Sequence, residues 1–266
     1  FSFIATGTMM SGYFIGFFIG ATVVPKLVTK VGHIRVFAAF ASMASLSSLI
    51  HVVFVDPYVW ILARFLTGFS MIGIFIIVES WLNDRANNKT RGKVLSLYML
   101  ITYVGMALGN FLLNISDPKY YEPFILISLL FSIALIPILL TKRKPPKFKK
   151  TTSINIKELF KISPFGSFSM ICTGFIFAPL FSLLSVYAVT MKLSIFETSL
   201  LLAGVMLAGA LFQWPIGSLS DKYDRRKIII GSSIAAVIFS ILAIFVSGVG
   251  NSLPNFFLES TVSFNY

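Results

Sequence analysis

Apolar residues in this chain fall in long blocks, and polar residues are confined to the short stretches between them. Each block runs to about twenty residues, enough to cross a hydrocarbon core of roughly 30 Å as a helix. Eight complete blocks are predicted as spans: Ile4–Val24, Val36–Val55, Tyr58–Val78, Val94–Leu113, Pro123–Leu140, Gly166–Val189, Ser199–Gly217 and Ile228–Val246. A partial ninth begins near Ser252. Lipid offers the backbone no hydrogen-bond partners, so the spans must be helical. The predicted fold class is an all-α membrane protein.

Charge orients the spans. Nineteen of the 22 Lys and Arg residues lie in the stretches after spans one, three, five and seven. The opposite stretches hold Lys119 and Lys192 beside Asp56, Asp117, Glu122, Glu197 and Glu259, and Arg64 lies inside a span. Positive charge collects on the cytoplasmic side. The chain is therefore expected to be a multi-pass inner (plasma) membrane protein with its crowded basic side in the cytoplasm.

Composition narrows the classes of function. Mean hydropathy is +0.87 and 12% of residues are charged, against about a quarter in soluble domains. Twenty-eight Phe residues add bulk for lipid-facing surfaces. The net charge of +12 sits in short loops rather than on a solvated domain, which argues against nucleic acid. The single cysteine, Cys172, excludes disulfides and cysteine metal sites and reads as packing buried in lipid or protein. His33, read as a loop residue, and His51 are too few and too far apart for a metal site. No nucleophile, zinc-hydrolase or phosphate-cradling motif occurs, so no enzyme, cofactor or ATP-driven pump is expected.

The segment 141–165 is the longest connection and the most basic, carrying Lys142-Arg143-Lys144-Pro145-Pro146-Lys147. It reads as a cytoplasmic linker between residues 1–140 and 166–266. Its second part, Ile154–Ile162, fits either an amphipathic helix on the inner leaflet or a solvated linker. Shifting the chain by 192 residues lays Pro25–Arg35 on Gly217–Lys227, and Gly12 and Gly16 on Gly204 and Ala208. That register suggests two halves related by duplication.

Gly217-Ser218-Leu219-Ser220-Asp221-Lys222-Tyr223-Asp224-Arg225-Arg226 resembles the signature loop of the major facilitator superfamily. Arg64-Phe65-Leu66-Thr67-Gly68 resembles that family's helix 4 motif. Val31–Phe37, Glu79–Asn83, Ile162–Pro164 and Gln213–Gly217 are similar to a bacterial subfamily of functionally uncharacterised permeases. The resemblance implies a helical bundle of two pseudo-symmetric halves. The spans would be helices 2 to 9, with helix 1 and everything beyond mid-helix 10 outside this sequence. Residues 1–140 would hold helices 2–6, and 166–266 helices 7–9 with the start of 10. Two departures stand out: Pro25 and Thr29 replace the Gly and Asp of the first-half loop. Gly105-x-x-x-Gly109 lacks a Gly-Pro pair, which speaks against a drug antiporter.

Several residues then carry two readings each. Gly217, Asp221, Arg225 and Arg226 form either a cytoplasmic gating latch or a plain topogenic loop. Arg64, an intramembrane charge costing roughly 2.5–3.5 kcal/mol, either serves an anionic substrate or proton relay or snorkels to the headgroups. Glu79 either pairs with the basic residues near it or ends a helix in water. Gly12, Gly16 and Gly20 form a small-residue face for helix packing, static against a neighbour or sliding against the second half. Tyr98, Tyr103, Asn110, Tyr187 and Gln213 are candidates for a cavity wall, with an aromatic belt as the alternative for the tyrosines. The function expected is secondary transport of a small-molecule substrate, coupled to a proton or ion gradient. The alternative is a transport-inactive sensor or scaffold on the same fold.

Overall fold

The computed structural model describes residues 3–87, 90–115, 120–141 and 156–246. Side chains at 3, 156, 178–182, 213, 214, 216–218, 220–222, 225 and 242–246 lie outside that description. Among the described residues there are helices and no strands: α1 (Phe3–Val31), α2 (His33–Val53), α3 (Pro57–Arg85), α4 (Arg91–Phe111), α5 (Glu122–Leu139), α6 (Ile156–Ile162), α7 (Pro164–Thr190), α8 (Ile195–Lys222) and α9 (Arg225–Val246). Six of them, α1 to α5 and α8, carry described stretches long and apolar enough to cross a membrane. The ninth span expected from Ser252 and most of the basic linker (142–155) lie outside the described residues.

The helices overrun the apolar blocks. α1 continues through Pro25 to Val31, α3 runs on to Arg85, and α8 passes through Pro215 to Lys222. Hydropathy marks where the bilayer ends; a helix stops only where its backbone finds something better to do. The stretch Pro25–Arg35, expected as a loop, is therefore mostly helix. Its connection shrinks to Gly32, whose φ of 94° suits a residue without a Cβ. His33, expected in a loop, opens α2 and is 1% exposed, with Nε2 3.1 Å from Ser80 Oγ.

Helix starts show local chemistry. Asp56 Oδ1 accepts from the Tyr58 and Val59 amides (2.9 and 3.1 Å), with Pro57 at the first helical position. Ser163 caps α7 through the Gly166 amide, ahead of Pro164. Ser194 and Glu197 form a reciprocal capping box at α8. Asp224 Oδ1 accepts from the Arg226 amide (2.9 Å) at the start of α9. The short α6 covers the second part of the linker, with Leu159, Phe160 and Ile162 exposed beside Lys157 and Lys161.

The chain divides into two compact units, Phe1–Leu207 and Ala208–Tyr266. In the first, α1 and α3 run parallel with backbones in direct approach. A Cβ on Gly12 would lie 2.9 Å from Ile61 O, and one on Gly16 would strike Phe65 O. Reciprocally, a Cβ on Gly68 would strike Tyr13 O. α2 packs antiparallel on α3, burying Val24, Val28, Val36, Phe37, Phe40, Ala41 and Ile77. α5 closes the group against α2 through a 2.6 Å Ser45–Ser128 hydroxyl bond. The second unit holds the end of α8, the turn at Tyr223–Asp224, and α9, whose Ile230, Ile234 and Phe239 are exposed.

Candidate functional site

α4 and α8 meet antiparallel through side chains rather than backbones. Ala107, Ala203 and Met206 are buried between them, flanked by Tyr103, Phe111 and Val205. Toward the C-terminal end of α4, Asn114 Nδ2 donates to Ser199 Oγ (2.9 Å) and the Phe111 and Phe196 rings lie 6.5 Å apart. One turn further in, α4, α7 and α8 line a half-open cleft of about 410 Å³. Met106, Gly109, Asn110, Leu184, Ser185 and Leu202 contribute to its wall, with Val205 and Met206. Asn110 Nδ2 donates to Met106 O of its own helix (2.9 Å), which fixes the carboxamide at the wall.

Of the residues expected to line a cavity, Asn110 does so. Tyr103 packs at the seam between α4 and α8. Tyr98 lies toward the opposite end of α4, within electrostatic range of Glu79, and Tyr187 is 42% exposed on α7. The Gln213 side chain lies outside the described residues. Sequence reasoning missed Ser185, Met206, Phe111, Asn114, Phe196 and Ser199. A signal was present for one of them: Asn114 is a second amide at the end of the same apolar block as Asn110, and intramembrane amides seek partners on neighbouring helices.

Arg64 lies elsewhere. One turn before it on α3, Trp60 packs edge-on against His51 of α2 (5.1 Å between ring centroids). One turn after it, Thr67 Oγ1 is 2.9 Å from Ser47 Oγ. Arg64 is thus held between these two contacts, half-buried, and within electrostatic range of His51 and of Tyr13 on α1. His51 is 4% exposed, and its ring also stacks on Phe124 of α5 at 5.4 Å. A carbonyl can only accept, so the 2.7 Å contact to Ser47 O puts the proton on Nδ1. Nε2 is buried with no hydrogen-bond partner among the described residues.

Glu79 is exposed on α3, and its carbonyl accepts from Asn83 Nδ2 (2.9 Å). The side chains of Asp221 and Arg225, and the immediate surroundings of Gly217, lie outside the described residues. Their backbone placement is informative: Asp221 is in the last turn of α8 and Arg225 opens α9, so the two are not on one helix. Arg226 is exposed. Gly12 and Gly16 face the backbone of α3, and Gly20 faces Ile72 and Phe69 there. Cys172, expected to pack against lipid or protein, lies on an exposed apolar face of α7 with Phe168, Ile171 and Phe175. No group of metal-ligating side chains occurs among the described residues.

Long apolar helices, caps at their ends and a solute-sized cavity among three of them define a polytopic α-helical membrane protein. The chain matches the family model of the Major Facilitator Superfamily over residues 1–264, and it belongs to that superfamily. It is 26% identical over 225 residues to the uncharacterized MFS-type transporter YcaD of Escherichia fergusonii. It is 25% identical over 226 residues to the protein of the same name from Salmonella arizonae, and 26% over 227 to that of Escherichia coli O6:K15:H31. Each match covers 84% of this chain and 59% of the relative, so the chain spans about three-fifths of their length.

Proposed function

We propose that this chain forms most of a secondary transporter, which moves a small solute by alternating access and draws on a proton or ion gradient. The observation that carries the reading is the seam between α4 and α8. In the proposed halves, 1–140 and 166–266, these helices belong to different halves. They touch through small side chains, one aromatic pair and one neutral hydrogen bond, beside a cavity. Weak contacts of this kind can part and re-form on the timescale of transport. The 19-to-2 distribution of basic loop residues supports an inner-membrane orientation with the linker in the cytoplasm.

Asn110→Cys in a Cys172→Ser background of the full-length protein tests the mechanism. An impermeant maleimide should label it from either side of the membrane. Cross-linking the Asn114 end of the seam should abolish labelling from that side alone. Simultaneous access from both sides would indicate a pore and sink alternating access. Orientation is checked separately with cysteines at Lys144 and Lys119, of which only the second should label on intact cells. Asp221→Asn tests the proposed latch: transport should fall at unchanged membrane abundance, whereas a topogenic loop would leave it intact.

A further inference from the structure

The cavity among α4, α7 and α8 has a chemistry of its own. Among the described residues its wall is built mainly of Met106, Leu184, Leu202, Val205 and Met206, and none of those lining it is charged. The one intramembrane arginine, Arg64, is held between the Trp60–His51 and Ser47–Thr67 contacts, toward α1 and α2. A charged ligand seated against this wall would give up hydration on the side facing it and find no counter-charge among the described residues there, which is penalised. A neutral one would gain from the apolar surface and need only a few polar anchors.

Among the described residues two polar side chains line the wall. Asn110 spends an N–H of its carboxamide on Met106 O, and this holds the amide in place with its oxygen as an acceptor. Ser185 adds a hydroxyl from α7. The volume, about 410 Å³, lies near the small end of ligand pockets, which run from roughly 300 to 1,000 Å³. The methionines at 106 and 206 are unbranched and polarizable, and adapt to flat or irregular apolar bodies.

From this we infer that the cavity takes a small neutral amphiphile: an uncharged, largely apolar molecule whose hydroxyl, amide or similar donor bonds to the Asn110 carboxamide. The inference rests on the transporter reading for its physiological meaning, but it is tested by binding alone. Three molecules of equal size serve as probes: 2-phenylethanol, phenylacetate and phenethylammonium. Each competes with N-ethylmaleimide for Ser185→Cys in the full-length Cys172→Ser protein, held in lipid nanodiscs.

2-Phenylethanol should slow labelling at least tenfold at a concentration where either ion slows it less than twofold. Asn110→Leu should remove that protection, judged as the ratio of labelling with and without probe in the same variant. Asn110→Asp should transfer protection to phenethylammonium, because the wall then holds a counter-charge. Equal or better protection of the unmodified site by either ion would overturn the inference. So would protection by none of the three, or protection that survives Asn110→Leu. If the alcohol protects as expected but alternating access at Asn110 fails, the transport reading falls and the neutral site stands. If access alternates but an ion protects best, only the ligand class is wrong.

Discussion

The contact between α1 and α3 and the contact between α4 and α8 use small residues to opposite ends. Along α1–α3, Gly12, Gly16 and Gly68 bring two backbones together, and any side chain added there meets a carbonyl. Along α4–α8, Ala107 and Ala203 bring side chains together, and the nearby Gly105, Gly109 and Gly204 have open space where a Cβ would go. Backbone contact resists separation because many small dispersion terms are lost at once. Side-chain contact of the second kind can be released by a few rotamer changes. One pair of helices is built to stay together, and the other carries the features of a joint.

The largest expected effect is at Gly16. Gly16→Ala should cost about 3 kcal/mol of folding stability, the upper end of overpacking penalties, since backbone atoms cannot turn aside. Unfolding in detergent, followed by temperature or denaturant, would show it. Gly68→Ala should behave alike from the other helix, and the pair together should cost less than the sum of the two, because one separation relieves both.

Phe196→Ala comes next and should leave folding nearly intact. Losing an aromatic pair worth about 0.5–1.5 kcal/mol should instead shift the α4–α8 equilibrium by roughly two- to tenfold. The readout is faster labelling of Asn110→Cys from the Asn114 side. If Phe196→Ala unfolded the protein as readily as Gly16→Ala, the distinction between clamp and joint would collapse. Ser199→Ala removes the bond from Asn114 across the seam as well as the hydroxyl's bond to Ile195 O within α8; loss of the first, worth about 1 kcal/mol, should raise the same labelling up to about fivefold. Gly105→Ala should lie within about 0.5 kcal/mol of the parent in stability, because nothing stands within 4 Å of the added methyl.

How much of this was readable beforehand follows from the physics of each signal. The helical stretches α1 to α5 and α7 to α9 coincide with apolar blocks of the sequence, and for α1 to α5 and α8 the described part is long and apolar enough to cross a bilayer. Their ends were not legible: Pro25 and Pro215 look like breakers, yet α1 and α8 continue past them. The glycine stripe on α1 was visible as a stripe, but a stripe does not name its partner. Only the reciprocal glycine on α3, Gly68 against Tyr13, pairs it with that helix. At the cavity, Asn110 was legible as a polar residue in an apolar block, while Met106, Leu202 and Met206 look like any lipid-facing residue until α7 and α8 are placed beside α4. His51 shows the same limit, since its cage draws Trp60 and Phe124 from two other helices.

The single-residue connection at Gly32 has a consequence for how this sequence can change. Most turns between helices absorb an inserted or deleted codon, because slack in the loop hides the change. Here one codon gained or lost at position 32 would rotate α2 by about 100° about its axis, since a helix advances 3.6 residues per turn. His33, Val36, Phe37 and Phe40 would swing away from α3 together. Length variation within a lineage should therefore spare this turn, and an epitope tag placed between Val31 and His33 should abolish folded protein.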